Sequence, residues 1–298
     1  MRCYKYMAWK YWFDAILAGR IKASRPSEFN DPFDCVGAIE GRLSENAARE
    51  FADKSCEKHI LPDVDVAKKE LVKRLLRCHV EGLISEVFAN KQYLDELFRI
   101  VCFSAADEIS GDADLLMWSH YADKGRGVRV MVDIPEKIGT YAVERIQYSK
   151  KMPVYHLENE SSFLNGPQWN YAFKQFVCTK SLVWEYEQEV RLVFDISNAR
   201  TDMCVVKGID FFNVPRSWIK SVTFGSEVDW QIAVHHALML RLAGCFEIKF
   251  FKAIRNRGAY VLDYKEIDIC ETQCGQAGRQ SKSYYSCHTM GSGSLCRE

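Results

Sequence analysis

The chain predicts an α+β fold with a mixed or antiparallel sheet, and three observations carry that prediction. Short apolar runs bounded by turn residues recur at Val101-Cys102-Phe103-Ser104, Val128-Arg129-Val130-Met131-Val132 and Ile219-Lys220-Ser221-Val222-Thr223-Phe224. Their length and β-branched content suit buried strands. Elsewhere apolar residues fall at three- and four-residue spacing, as at Trp9, Trp12, Phe13, Ile16 and Leu17, which marks an amphipathic helix. Hydrophobic residues make up 48% of the 298, ample for a packed core.

Taken in order, Cys3-Tyr4-Lys5-Tyr6-Met7 reads as a strand, and Gly19 closes the helix that follows as a left-handed stop. A short strand at Ile21-Lys22-Ala23-Ser24 enters the loop Arg25-Pro26-Ser27-Glu28-Phe29-Asn30-Asp31-Pro32-Phe33-Asp34. Two prolines fix its backbone, two phenylalanines anchor it, and Asn30, Asp31 and Asp34 can bond nearby amides. Residues 44–99 are rich in helix formers, with Ser44 and Asp63 as caps and Pro62 near a helix start. Leu71, Leu75, Leu76 and His79, then Tyr93, Leu94, Leu97 and Phe98, keep helical spacing, so this is a helical insertion acting as a lid or packing layer. A helix over Leu115 to Ala122 separates the strands at 101–104 and 128–132. Residues 141–148 alternate as a strand, Trp169, Phe173, Phe176 and Val177 describe a helix, and 180–194 reads as one long strand. After the strand at 219–225 come a helix from Asp229 to Leu242, closed by Gly244, and a hairpin turning at Arg255-Asn256-Arg257-Gly258.

Charge excludes some classes of function. Lys and Arg number 40, as do Asp and Glu, so no net field recruits nucleic acid and no dedicated nucleic-acid role is expected. No apolar run reaches the roughly 18 residues of a membrane span. The first 17 residues carry Arg2, Lys5, Lys10 and Asp14, unlike a signal peptide, and cytoplasmic residence with no membrane partner follows as the expectation. Cys3, Cys35, Cys56, Cys78, Cys102, Cys178, Cys204 and Cys245 are scattered singly, as reduced thiols are. Residues 271–298 form a Gly-, Ser- and Gln-rich tail. Cys270, Cys274, Cys287 and His288 evoke a zinc site, but no apolar residues accompany them, so the tail reads as disordered.

Two stretches carry candidate chemistry. Trp118-Ser119-His120-Tyr121 packs more polar-tipped aromatic surface into one helical turn than a core needs, because each buried ring nitrogen or hydroxyl requires a partner. Ser119 and His120 point about 100° apart on a helix, so they do not pair as nucleophile and base. The second stretch is Trp184-Glu185-Tyr186-Glu187-Gln188-Glu189-Val190-Arg191. As a strand it puts Glu185, Glu187, Glu189 and Arg191 on one face, either solvated or turned to a cleft as a carboxylate pair for acid–base or electrostatic work. No Gly-rich phosphate loop precedes a helix. His235-His236 lack metal spacing, and a metal built from His120, Asp31 and Asp34 would suit Mn, Fe or Zn but has no support from sequence distance, so no metal is expected.

Tyr4-Lys5-Tyr6, Phe29-Asn30-Asp31-Pro32-Phe33-Asp34, Cys102-Phe103-Ser104, Met117-Trp118-Ser119-His120-Tyr121-Ala122 and Trp184 to Arg191 occur in that order. Together they resemble the bacterial family called domain of unknown function 2971. The likeness implies a single bacterial domain over 2–264. From the residues of these stretches, Lys5, Tyr6, Asn30, Asp31, Asp34, Ser104, Trp118, Tyr121 and Arg191 stand as substrate-binding candidates, with His120, Glu187 and Glu189 as catalytic ones. A more distant likeness is to ADP-ribosyltransferase domains, whose late strand carries a Glu-x-Glu pair. It implies NAD as substrate, with Glu189 gripping the ribose and Glu187 aiding the acceptor. Here Phe103-Ser104-Ala105 stands in place of their Ser-Thr-Ser strand. The expected function is an enzyme acting on a nucleotide or NAD-type substrate, with a use in phage defence. The alternative is a binding module for a small ligand or a protein.

Overall fold

The computed structural model describes residues 1–41, 91–96, 98–109, 111–135, 137–138, 141–156, 174–196 and 203–269, with isolated positions 44, 46, 49, 73 and 74. The chain begins with β1 (Arg2–Met7), α1 (Trp9–Ala18), β2 (Arg20–Lys22) and β3 (Ala38–Glu40). Then come α2 (Lys91–Asp95), β4 (Phe98–Ala105), α3 (Gly111–Tyr121) and β5 (Val128–Asp133). The middle of the chain holds β6 (Lys137–Ile138), β7 (Tyr141–Arg145), β8 (Gln147–Ser149), β9 (Val154–His156), β10 (Thr179–Ser181) and β11 (Glu189–Asp195). It closes with β12 (Met203–Val206), β13 (Ile209–Asn213), β14 (Ile219–Phe224), α4 (Trp230–Leu242), β15 (Lys249–Arg255) and β16 (Leu262–Glu266). The fold is α+β, and its sheets are mixed: β14 runs parallel to β15 and antiparallel to β5.

The chain divides into two units. Unit 1 holds Met1–Arg20, Ala105–Ile134 and everything from Val214 on; unit 2 holds Ile21–Ser104 and Pro135–Asn213. In unit 1 the strand order is β16-β15-β14-β5-β1. Alternation sends Val128, Val130, Val132, Val222, Phe224 and Phe250 to one face, where all are buried. Two helices meet over that face. Trp12 of α1 lies fully buried with its ring 5.3 Å from that of Phe224, and His236 of α4 packs on Trp9, Trp12 and Phe13. Gly19 ends α1 at φ 64, and a Cβ there would meet the Val214 carbonyl oxygen at 2.6 Å, so only glycine fits. Asp229 starts α4 by accepting from the amides of Gln231 and Ile232. The other face of the sheet carries Tyr4, Tyr6, Arg129 and Thr223, and α3 lies against it.

In unit 2, β4-β11-β7-β6 form an antiparallel set in which Arg191 pairs with Cys102 and Glu189 with Ser104. The long strand expected over 180–194 is not continuous. Leu182–Glu187 is a 3₁₀ helix, and Gln188 takes a left-handed conformation at φ 43 before β11 begins. Its backbone N–H bonds the Glu185 carbonyl at 3.1 Å, closing a turn that strand alternation does not signal. The solvated-face reading fails with it: Glu185 is exposed, while Glu187, Glu189 and Arg191 are buried. The helical reading near Phe98 also shortens, since α2 stops at Asp95 and Phe98 opens β4. Asp63, Leu71, Leu75, Leu76, His79, Trp169, Phe173 and the tail beyond 270 lie outside the described residues. Among the described residues no helix is long and apolar enough to cross a membrane.

Candidate functional site

Each unit gathers one of the two candidate stretches into a cluster around a buried arginine. In unit 1, Tyr6 faces Arg129 in register across β1 and β5, and Tyr4 shares their side of the sheet by alternation. One turn apart on α3, Asp114 and Trp118 lie over them, both buried. Asp114 Oδ1 accepts from the Tyr6 hydroxyl at 2.7 Å and from Arg129 Nη1 at 3.0 Å. The Tyr264 hydroxyl donates to Asp114 Oδ2 and accepts from Trp118 Nε1 at 3.1 Å and Arg129 Nη1 at 3.2 Å. Burial pushes the Tyr6 and Tyr264 phenols above their ordinary range, so both stay protonated donors. The guanidinium carbon of Arg129 stands 4.2 Å from the Tyr4 ring centroid and 4.3 Å from that of Tyr264, close enough for a cation–π attraction from each. Arg129 Nε is buried and has no hydrogen-bond partner.

Unit 2 holds the acidic stretch. Arg191, fully buried, meets the Asp34 carboxylate with Nη1 at 2.8 Å and Nη2 at 2.7 Å. It also meets the Glu189 carboxylate with Nε at 2.7 Å and Nη2 at 3.1 Å. A further Nη1 bond reaches the Val177 carbonyl, and the Phe29 ring stacks at 5.0 Å. Lys180 Nζ donates to Glu187 at 2.5 Å and to Glu189 at 3.0 Å, and lies 3.7 Å from Asp34. Two cations thus meet three carboxylates, all at most 6% exposed. Burial works to raise the Glu189 pKa, but Arg191 and Lys180 outweigh it and hold the carboxyl below its ordinary range. For Lys180 burial works downward, and Glu189, Glu187 and Asp34 carry its pKa above the usual lysine range.

The predicted residues therefore fall into groups. Asp34, Glu187, Glu189 and Arg191 come together, with Ser104 buried opposite Glu189. Tyr6 and Trp118 come together in the other unit. Lys5 alternates to the opposite face of β1 from Tyr6. His120 is exposed on the outer side of α3, its ring 6.2 Å from that of Tyr121, which is half-buried. Asp31 caps its own loop by accepting from the Phe33 amide at 2.9 Å, while its Oδ2 is buried without a partner. Asn30 is exposed. Asp34 does not cap the loop with its carboxylate, because the Arg191 fork takes both oxygens.

Sequence reasoning passed over Tyr4, Asp114, Arg129, Lys180 and Tyr264. Arg129 left a readable signal, a lone charge inside Val128-Arg129-Val130-Met131-Val132. Chemically the unit 2 cluster is closed, since every nitrogen of Arg191 is engaged, whereas the unit 1 cluster keeps one charged donor in hand. Among the described residues no group of three His, Cys, Asp or Glu side chains is disposed to hold a metal ion. The chain matches no family model, and neither a curated protein nor a solved structure is significantly similar to it.

Proposed function

We propose that the chain recognises a small ligand of the nucleotide class through the Tyr4, Tyr6, Trp118, Arg129 and Tyr264 cluster. One observation carries this reading: Arg129 is buried against two tyrosine rings, yet its Nε–H has no acceptor. An unsatisfied buried donor costs about 1 to 3 kcal/mol, and a ligand that supplies the acceptor recovers that penalty. Aromatic walls with a few convergent polar groups are what small-molecule sites use.

ADP-ribosyl transfer at Glu189 is the second reading, supported by the ionised state of that carboxylate, which suits a cationic transition state. It requires Glu189 to leave both Lys180 and Arg191 before reaching a ribose. Thermal-shift measurements with nucleotides, NAD and divalent metals test the first reading, because a ligand of the folded state raises Tm. Nucleotides or NAD should raise Tm for the wild type and much less for Arg129→Lys; no shift with any of them defeats recognition. NAD consumption that Glu189→Gln abolishes in a folded protein would put transfer first.

A further inference from the structure

Resting on the recognition reading, we infer that the group meeting Arg129 is an uncharged planar acceptor, such as a nucleobase or a nicotinamide carboxamide, and that no phosphate binds there. Charge decides this. Arg129 is already neutralised by Asp114 at 3.0 Å, and the pair is buried, each side chain 9% exposed. An anion docked on Nε would meet a guanidinium whose charge Asp114 already offsets, in a medium of low dielectric that makes its own desolvation costly. A carbonyl oxygen or ring nitrogen satisfies the same N–H and leaves the charge balanced.

The rings agree with that chemistry. Tyr4 is half-buried and Tyr264 is 37% exposed, so both keep ring surface on which a planar group can stack. Tyr264 sits on β16, the edge strand paired with β15, and its hydroxyl ties it to Asp114, Trp118 and Arg129. Tyr264 is thus one wall of the site, and Asp114 the group that sets the charge of the ligand.

Isothermal titration of the full chain with adenosine, AMP, nicotinamide and inorganic phosphate, at low and high salt, tests the inference. Adenosine or nicotinamide should bind, AMP should bind no tighter than adenosine, phosphate should not bind, and salt should change little. Arg129→Lys keeps the charge opposite Asp114 and loses the planar Nε–H, so affinity should fall about tenfold, the worth of one charge-assisted hydrogen bond. AMP binding tenfold tighter than adenosine, or binding weakened by salt, would overturn the inference and leave recognition standing. Binding by none of the four overturns both. The adenosine and AMP arms use the wild type alone, so they decide the matter even if the variant fails to fold.

Discussion

Arg191 and Arg129 stand on similar strands, each set among valines and leucine or methionine, and each is buried beside carboxylates and aromatic rings. They are held in opposite ways. Arg191 spends all its nitrogens on Asp34, Glu189 and a backbone carbonyl, and a second cation, Lys180, ties the same carboxylates together. Arg129 has one carboxylate, two close rings and a spare donor. A buried charge with every bond used has its geometry fixed by the protein and little left for a substrate. One with a bond unused is held in place by its neighbours and still asks for a partner, which is what preorganised recognition requires.

Removing each arginine should break the comparison open most widely. Arg191→Met strands Asp34 and Glu189 in the interior with Lys180 alone, and losing one partner of a buried network costs about 3 to 5 kcal/mol. Arg129→Met leaves Asp114 buried without a cation, but the Tyr6 and Tyr264 hydroxyls still donate to it and the unpartnered Nε goes with the guanidinium, so its loss should lie at the low end of that range, about 3 kcal/mol. Urea unfolding midpoints of the two variants measure the difference. Equal losses would mean that Arg129 is as much a structural tie as Arg191.

Acid should find unit 2 next. The folded pKa of Glu189 lies below its ordinary value of 4.5, so its contribution is present above pH 4.5 and is lost as pH falls beneath it. Lys180 has the opposite sign: its folded pKa lies above the ordinary 10.5, so its contribution is present below pH 10.5 and lost above it. Stability followed by urea titration should therefore fall on the acid side of pH 4.5, and Glu189→Gln should flatten that limb. An acid limb of the same steepness in the variant would assign it to other carboxylates.

Why one cluster was half legible in the sequence and the other scarcely so follows from periodicity. Helix α1 with Gly19, helix α4 with its Asp229 cap and the strands around Val101, Val128 and Ile219 each write a local signal, and all are present. Glu187, Glu189 and Arg191 stood out because charges alternate there, although the alternation concealed a 3₁₀ turn at 182–187 and a left-handed Gln188. Lys180 and Asp34 reach that cluster only through tertiary structure. Tyr264, 150 residues from Asp114 along the chain, has no local pattern that announces the contact.

The loop of Asp31 gives a smaller test. Its Oδ1 caps the Phe33 amide, and a lost cap costs about 1 kcal/mol. Its Oδ2, however, is buried without a partner, so Asp31→Ala also relieves a desolvated oxygen and the two effects oppose. The net loss should stay below about 1 kcal/mol, and Asp31→Asn, which keeps the capping oxygen and replaces the carboxylate by an uncharged amide, should lose less still. A loss above that of Arg129→Met would show that Asp31 braces the Arg191 network through its loop, making unit 2 the more extended of the two structures.

His120→Ala should have the smallest effect, and it bears on where the unit 1 site ends. His120 is exposed on α3, while Asp114 and Trp118 line the buried side of the same helix. An exposed helical side chain ordinarily changes stability by no more than about 0.5 kcal/mol when truncated, and alanine favours the helix. Unfolding should therefore be unaltered, and so should nucleoside binding at Arg129, since the helix face that carries Asp114 is untouched. If His120→Ala folds normally and nucleoside affinity nevertheless falls tenfold, the ligand extends around α3 to its outer side. His120 would then be a direct contact, and the site would run from the spare donor of Arg129 to the imidazole, joining the two sides of one helix in a way that Arg191, enclosed on all its donors, does not allow.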